Sequence, residues 1–146
     1  MNELSMNRKW FGFAALFVAA ITLLNLSSCA HSQQLVGITV SPQGTTITLG
    51  GFGERVSTQF TAYGSYIHPP ENKDVTSKAV WTTDSPSIIT LSSSQPGLVT
   101  TTGEGCGTNL GVTASVYSDP SNPSAGSVVV GSATISVSFA TGSSCP

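Results

Sequence analysis

Residues 109–117 (NLGVTASVY) and 127–139 (SVVVGSATISVSF) decide the fold class of this chain. In both stretches apolar residues alternate with small or polar ones, which is the pattern of a strand that buries one face in an antiparallel sheet. Residues 119–126, between them, are rich in Pro, Asn, Ser and Gly and indicate a turn. The two stretches are therefore predicted to pair as a β-hairpin. The side chains expected to face the core are Leu110, Val112, Ala114, Val116, Ala133, Ile135, Val137 and Phe139.

The same period of two extends back to Leu35 and divides into short runs. Turn-rich clusters separate these runs at residues 50–53, 69–72, 92–97 and 103–107. About seven short strands at this spacing predict an all-β protein, an immunoglobulin-like sandwich of two sheets. In the first runs, the residues expected to share the inward faces are Val36, Ile38, Val40, Ile47, Leu49, Val56, Thr58, Phe60 and Ala62.

A tryptophan in the middle of the chain is the largest candidate core residue. On the alternation that starts at Val75 and passes through Ser77 and Ala79, Trp81 faces inward. A large aromatic side chain at such a position fills the space between the two sheets. We therefore expect Trp81 to be a structural residue rather than a ligand-stacking one.

Charged residues are scarce, and the signatures of common active sites are missing. Asp, Glu, Lys and Arg make up 8% of the chain, and its formal net charge is −2. Because phosphate backbones are bound by Lys and Arg, nucleic acid is not an expected partner. The sequence contains no G-x-S-x-G elbow and no phosphate-binding loop. Asp74, Asp84 and Asp119 lack the close spacing of a calcium loop. We expect no enzyme activity, no cofactor and no metal site.

The first 28 residues have the layout of a secretory signal that forms a helix and is then cleaved. Arg8 and Lys9 precede an uncharged run at residues 10–26, WFGFAALFVAAITLLNL. The run ends in Leu26-Ser27-Ser28-Cys29, which resembles the lipobox of bacterial lipoproteins. The resemblance implies that a diacylglycerol is attached to Cys29 by a thioether and that the chain is cut before this residue. Residues 1–28 are then the signal peptide, 29–34 a lipidated tether, and 35–146 the folded domain.

Lipidation makes the membrane a partner through Cys29 and gives the protein a location in the cell envelope. Two or three acyl chains hold a protein firmly on a bilayer. Ala30 follows the cysteine, where aspartate would resemble an inner-membrane retention signal, so the outer membrane is the expected destination in a cell that has one. Two alternatives remain open: an uncleaved anchor at residues 10–26 and ordinary cleavage after Ala30.

Five segments of the chain carry a resemblance to a known family. They are ITVSPQGTTITLGG (38–51), STQFTAYG (57–64), DVTSKAVWTTDSPSI (74–88), GLVTTTGEGCGTNLGVTASV (97–116) and ATISVSF (133–139). Together they resemble the bacterial immunoglobulin-like domain, group 2, over residues 35–139. The resemblance implies a β-sandwich of the kind that serves surface proteins as a spacer or adhesive module. The chain departs from the pattern in having one copy and long connections at 63–74 and 117–127.

Two cysteines remain once Cys29 is lipidated. An even pair in a small exported domain usually forms a disulfide. If residues 109–117 and 127–139 form a hairpin, Cys106 lies before its first strand and Cys145 after its second, at the same end. A Cys106–Cys145 bridge is therefore predicted, with two free thiols or an intermolecular bridge as the alternatives. The pair lacks the close spacing of a zinc site.

One connection contains the candidate ligand-binding residues Tyr63, Tyr66 and His68. Residues 63–74 are predicted to form a loop at the end of the sandwich opposite the disulfide, and loops at such ends often bind ligands. The prolines after His68 predict an extended backbone there. Exposed tyrosines stack on sugars and anchor protein interfaces. The alternative is that these aromatic side chains pack on the rim of the core.

Two functions fit these observations. The first is a lipid-anchored interaction or structural module that contacts another protein of the envelope or mediates adhesion. The second is an accessory module that binds a carbohydrate or another small ligand. A sugar-binding module needs two coplanar exposed aromatic side chains, and only the segment from Tyr63 to His68 is expected to supply them.

Overall fold

The computed structural model describes residues 33–119, 126–140 and 145. These residues belong to one compact unit, Gln33–Pro146. The predicted signal helix and Cys29 lie outside the described residues. In the part of the chain that is described, no helix is long and apolar enough to cross a membrane. The strands are β1 Gln34–Ser41, β2 Gly44–Leu49, β3 Ser57–Gln59, β4 Thr61–Ile67, β5 Glu71–Asp74, β6 Val80–Thr83, β7 Ile89–Leu91, β8 Leu98–Thr101, β9 Gly107–Tyr117 and β10 Val128–Phe139.

The strands form an all-β sandwich of the immunoglobulin-like class, as predicted. One layer is the four-stranded sheet β2-β10-β9-β6. Its centre is the predicted hairpin, in which β9 and β10 pair antiparallel. The other strands pair in the orders β1-β4-β5 and β3-β8-β7. Only Phe60 separates β3 from β4, so these two sheets continue into each other along one run of chain.

The described residues contain ten strand segments where about seven strands are expected for this fold. β1 pairs with β4, whereas β2 pairs with β10, so a single N-terminal strand changes sheets at residues 42–43. β3 and β4 are likewise one strand interrupted at Phe60. The remaining addition is β5, which lies within the connection that was predicted to be a loop.

The core lies between the layers and consists mainly of the alternating residues that the sequence identifies. Phe60 is the largest side chain that is fully buried. Trp81 faces inward as predicted but is only half-buried, and it packs against the edge of the core. Its indole Nε1–H donates to the carbonyl oxygen of Thr76 at 3.0 Å. Trp81 therefore packs against the core as a structural residue, but the large aromatic side chain that is fully buried among the described residues is Phe60 rather than Trp81.

A β-bulge corrects the predicted faces of the first strand. The register of β1 against β4 shifts between Leu35 and Gly37. One extra residue in a bulged strand reverses the face of the residues beyond it. Leu35 is therefore buried while Val36 is half-exposed, and Val40 returns to the core. The prediction that Val36 faces inward with Val40 is wrong for this reason.

The 12-residue strand β10 runs the length of the four-stranded sheet and defines two ends of the sandwich. Val128, at its start, pairs with Tyr117. This end is named the N-terminal pole. Phe139, at the end of β10, pairs with Leu49, and this end is named the C-terminal pole. At about 3.3 Å per residue, the two poles are ~36 Å apart.

The described chain begins at the N-terminal pole. Ile38 of β1 lies against Gly131, which is in the first third of β10. β1 then continues into β2, which is parallel to β10. Gln34 therefore lies level with the start of β10. Because Gln34 pairs with Ile67, the last residue of β4, the turn between β4 and β5 also lies at the N-terminal pole.

Candidate functional site

The segment that holds the candidate ligand residues is a β-hairpin. Tyr63 pairs with Asp74 and Tyr66 with Glu71, so β4 and β5 are antiparallel strands joined by a short turn. The prediction of a loop over residues 63–74 is wrong. β5 has the sequence ENKD, which lacks the apolar alternation of a half-buried strand and pairs through its backbone.

Tyr63 and Tyr66 lie on opposite faces of the hairpin. Tyr63 points outward and is 44% exposed. Tyr66 packs against the hydrophobic core, with the Lys73 ammonium 5.5 Å from its ring centroid. His68 lies in the turn with φ 61°, so the expectation of an extended backbone at this residue is also wrong. A tight reversal between two strands favours such left-handed residues. The hairpin does not bring the two tyrosine rings into one plane.

A polar cluster attaches the first described residue to this hairpin. The Lys73 ammonium donates to the side-chain oxygen of Gln33 at 2.7 Å and lies 3.0 Å from the Glu71 carboxylate. The Gln33 amide donates to the same carboxylate at 3.0 Å. The hydrogen bond from Gln33, followed by that from Lys73, lowers the pKa of Glu71 below its usual value. The start of the domain is thereby held against the β4–β5 hairpin.

The C-terminal pole contains the predicted disulfide. Cys106 and Cys145 are bonded, and their Cα atoms are 5.9 Å apart. Cys106 directly precedes Gly107, which pairs with Val137 near the end of β10. The bridge therefore lies at the pole opposite the β4–β5 turn, as the sequence predicts.

The loop between β2 and β3 presents an exposed aromatic side chain at the C-terminal pole. Phe52 is 72% exposed, and it lies three residues after Leu49. Sequence reasoning explained residues 50–53 as a turn and missed this side chain. The available signal was a large aromatic residue inside a glycine-rich turn, where the adjacent glycines have no side chains to cover it.

Several contacts hold the backbone of this loop in place. The Gly53 N–H donates to the carbonyl oxygen of Gly103 at 2.8 Å. The Gly50 N–H donates to the Glu54 carboxylate. Gly103 has φ +78°, and a Cβ on it would stand 2.6 Å from the Glu54 carbonyl oxygen. Only glycine satisfies both this conformation and this close approach. The loop therefore presents Phe52 from a fixed backbone.

A second exposed apolar surface lies at the N-terminal pole. It consists of Val80, Tyr117, Val128 and Val130, on the outer face of the four-stranded sheet. A groove with a volume of about 170 Å³ on this surface is lined by Val80, Ser115, Val116, Tyr117 and Val128. The name apolar patch is used below for the four exposed residues Val80, Tyr117, Val128 and Val130.

Two of the acidic residues that were weighed as metal ligands, Asp74 and Asp84, accept hydrogen bonds within the fold. The Asp74 carboxylate accepts the Thr76 N–H at 2.8 Å, and hydrogen bonds from the Thr76 side chain and backbone lower its pKa. The Asp84 carboxylate accepts the Ser85 hydroxyl at 2.8 Å and the Gly111 N–H at 2.9 Å. Within residues 33–119, 126–140 and 145, no three His, Cys, Asp or Glu side chains are grouped as metal ligands.

Comparison with known protein families finds no match to this chain, and comparison with curated proteins finds none either. The resemblance to the bacterial immunoglobulin-like domain therefore stays a prediction from the five quoted segments.

Proposed function

We propose that this chain is a lipid-anchored envelope protein whose single immunoglobulin-like domain acts as an interaction module. The lipid on Cys29 holds the domain at a membrane, and the C-terminal pole contacts a protein partner. This reading includes the group 2 bacterial immunoglobulin-like assignment, in which such domains serve as spacers or adhesive modules.

One observation carries the proposal: the chain enters the domain at one pole, and Phe52 is exposed at the other. Gln33 is hydrogen-bonded to the β4–β5 hairpin at the N-terminal pole, so the proposed anchor joins the domain at this pole. Phe52 lies at the opposite end on a loop with fixed backbone contacts. An exposed aromatic side chain on a fixed backbone binds a partner at low cost in conformational entropy.

The carbohydrate-binding alternative has less support. It requires two coplanar exposed aromatic side chains, whereas Tyr63 and Tyr66 lie on opposite faces of one hairpin and Tyr66 packs against the core. An interaction module needs only an exposed anchor residue. The geometry therefore favours a protein partner.

Anchoring is tested with Cys29→Ala and with globomycin, which blocks the signal peptidase of lipoproteins. We expect the variant to lose its lipid, and treated wild-type cells to accumulate the uncut precursor. Unchanged processing in both cases would remove the lipoprotein assignment and favour cleavage after Ala30 or a retained anchor.

The interaction role is tested by photo-crosslinking in intact cells. A photoreactive phenylalanine analogue is placed at position 52, and at the exposed Ser94 in a matched control. We expect a discrete protein adduct from position 52 and none from position 94. Phe52→Ser should abolish binding to the crosslinked partner without changing the amount of folded protein. The same adducts from both positions, or none from position 52, would contradict the proposal.

A further inference from the structure

We propose that the apolar patch rests on the surface of the membrane that holds Cys29. This inference depends on the proposed lipidation and adds to it a defined surface of contact. The lipid bilayer is the occupant because the covalent anchor joins the domain at the same pole as the patch.

The patch is confined to one end of its sheet. Val80 pairs with Ser115, and Ser115 pairs with Val130, so these residues form one row across three strands. Tyr117 and Val128 form the next row toward the N-terminal pole. The four apolar side chains are 45–61% exposed. Toward the C-terminal pole, the same outer face continues with hydroxyl side chains at Thr82, Thr113, Ser132, Thr134 and Ser136.

This apolar end coincides with the entry of the chain. Gln34 lies level with the start of β10, and the Gln33 side chain is hydrogen-bonded to Lys73 and Glu71 of the neighbouring hairpin. Four residue steps separate Gln33 from Cys29. Even fully extended, such a segment reaches only ~14 Å. In a domain with poles ~36 Å apart, a tether this short keeps the N-terminal pole at the bilayer.

The chemistry of the patch suits the interface between water and lipid. A tyrosine ring places its apolar body among acyl chains and its hydroxyl among headgroups. None of the four patch residues carries a charge, and the charged residues nearest to them in sequence, Lys78 and Asp119, have opposite signs. The contact is therefore apolar rather than electrostatic, and it does not require anionic lipid. Because the tether keeps the apolar patch close to the bilayer, the effective concentration of the patch at the membrane is high. A weak intrinsic affinity of the patch for lipid is therefore sufficient.

The test uses the mature protein, purified with its lipid and reconstituted in phosphatidylcholine vesicles. Val128→Cys and, separately, Phe52→Cys provide a thiol for an environment-sensitive fluorophore, since Cys106 and Cys145 are bonded to each other. Lipids with a nitroxide on the headgroup quench fluorophores that lie at the membrane surface. We expect several-fold stronger quenching at position 128 than at position 52, and the same result when phosphatidylglycerol is added.

A patch variant separates apolar contact from simple proximity. Val80→Thr with Val130→Thr, in the protein labelled at position 128, keeps side-chain shape and strand preference while making the surface polar. We expect quenching to fall several-fold in this variant and to stay unchanged in the control Thr82→Ser. Both variants should melt at nearly the wild-type temperature, because none of the three residues is buried in the core.

Each other outcome overturns the inference in a recognisable way. Equal quenching at positions 52 and 128 would mean that the domain has no fixed orientation on the membrane. A signal at position 128 that depends on protein density but not on nitroxide lipid would identify a second copy of the chain as the occupant. If mass spectrometry finds no diacylglycerol on Cys29, the proposed lipidation and this inference both fail. If the lipid is present and position 128 is not quenched, only this inference fails.

Discussion

The carbonyl oxygen of Ile38 in β1 lies 2.5 Å from the point where a Cβ on Gly131 in β10 would stand. The two layers of the sandwich therefore meet at this edge through backbone, with no room for a side chain. A glycine inside a strand often marks such a close approach. The contact also aligns β1 with β10, with the start of β1 at the N-terminal pole.

Gly131→Ala should destabilise the domain by about 2–3 kcal/mol, in the upper part of the range for overpacked sites. The reason is that a backbone carbonyl, unlike a side chain, cannot rotate away from the new methyl group. Gly44→Ala is the matched control, since its nearest neighbour would be the Thr134 hydroxyl at 3.8 Å. Urea unfolding of both variants measures the difference. Equal midpoints for the two would contradict this account of the contact between layers.

Phe60 and Trp81 should differ in their contributions to stability. Phe60 is fully buried, and Phe60→Ala should cost about 3–5 kcal/mol. Trp81→Phe retains an aromatic ring at the side of the core and loses the hydrogen bond to Thr76, so its cost should be about 1 kcal/mol. Chemical denaturation measures both. A larger loss for Trp81→Phe than for Phe60→Ala would restore Trp81 as the central core residue.

The alternation of apolar residues predicts most of the fold because a half-buried strand needs it. In β9 and β10, the side chains that were predicted to face the core are buried from Leu110 to Val116 and from Ala133 to Val137. The pattern failed at Val36, where a bulge reverses the strand. A bulge depends on the partner strand, and Gly37 is its only local sign. β5 was missed because four polar residues can pair through their backbone without an apolar pattern.

The candidate functional surfaces were harder to predict, for a related reason. Tyr63 and Tyr66 are three residues apart, and in a loop they could face the same way, but in β4 they lie on opposite faces. The apolar patch requires the register of three strands, since Val80 and Val130 become neighbours only through Ser115. Sequence order alone carries no information on that alignment.

The disulfide should stabilise the domain without determining its fold. Cys106 and Cys145 are 39 residues apart, and a closed loop of this size contributes about 4 kcal/mol in the chain-entropy model. The core is contributed by both layers and does not include the bridge. Reduction should therefore lower the melting temperature. It should leave the far-ultraviolet circular dichroism spectrum unchanged at about 25 °C, where the domain is still folded.

Mass spectrometry under non-reducing conditions gives the control for that experiment. The freshly purified mature protein should contain no thiol that reacts with an alkylating agent. Two alkylatable thiols at positions 106 and 145 would contradict the bridge. Loss of the β-sheet spectrum on reduction would mean instead that the disulfide is required for folding.

Asp84 should make the domain less stable in acid. Hydrogen bonds from the Ser85 hydroxyl and then the Gly111 N–H lower the pKa of Asp84 below its usual value of 3.8. A carboxyl group with a lowered pKa stabilises the folded state above its unfolded pKa, and this stabilisation is lost as the pH falls from there through the folded pKa. Asp84→Asn keeps an oxygen acceptor and does not titrate. The urea midpoint of this variant should therefore fall less steeply than that of the wild type as the pH drops below 3.8.

At pH 7, the urea midpoint of the wild type should equal or exceed that of the variant. Gly111→Ala provides an independent check, because its Cβ would stand 2.6 Å from an Asp84 carboxylate oxygen and displace it. The same acid sensitivity in wild type and in both variants would show that the Asp84 hydrogen bonds do not contribute to stability.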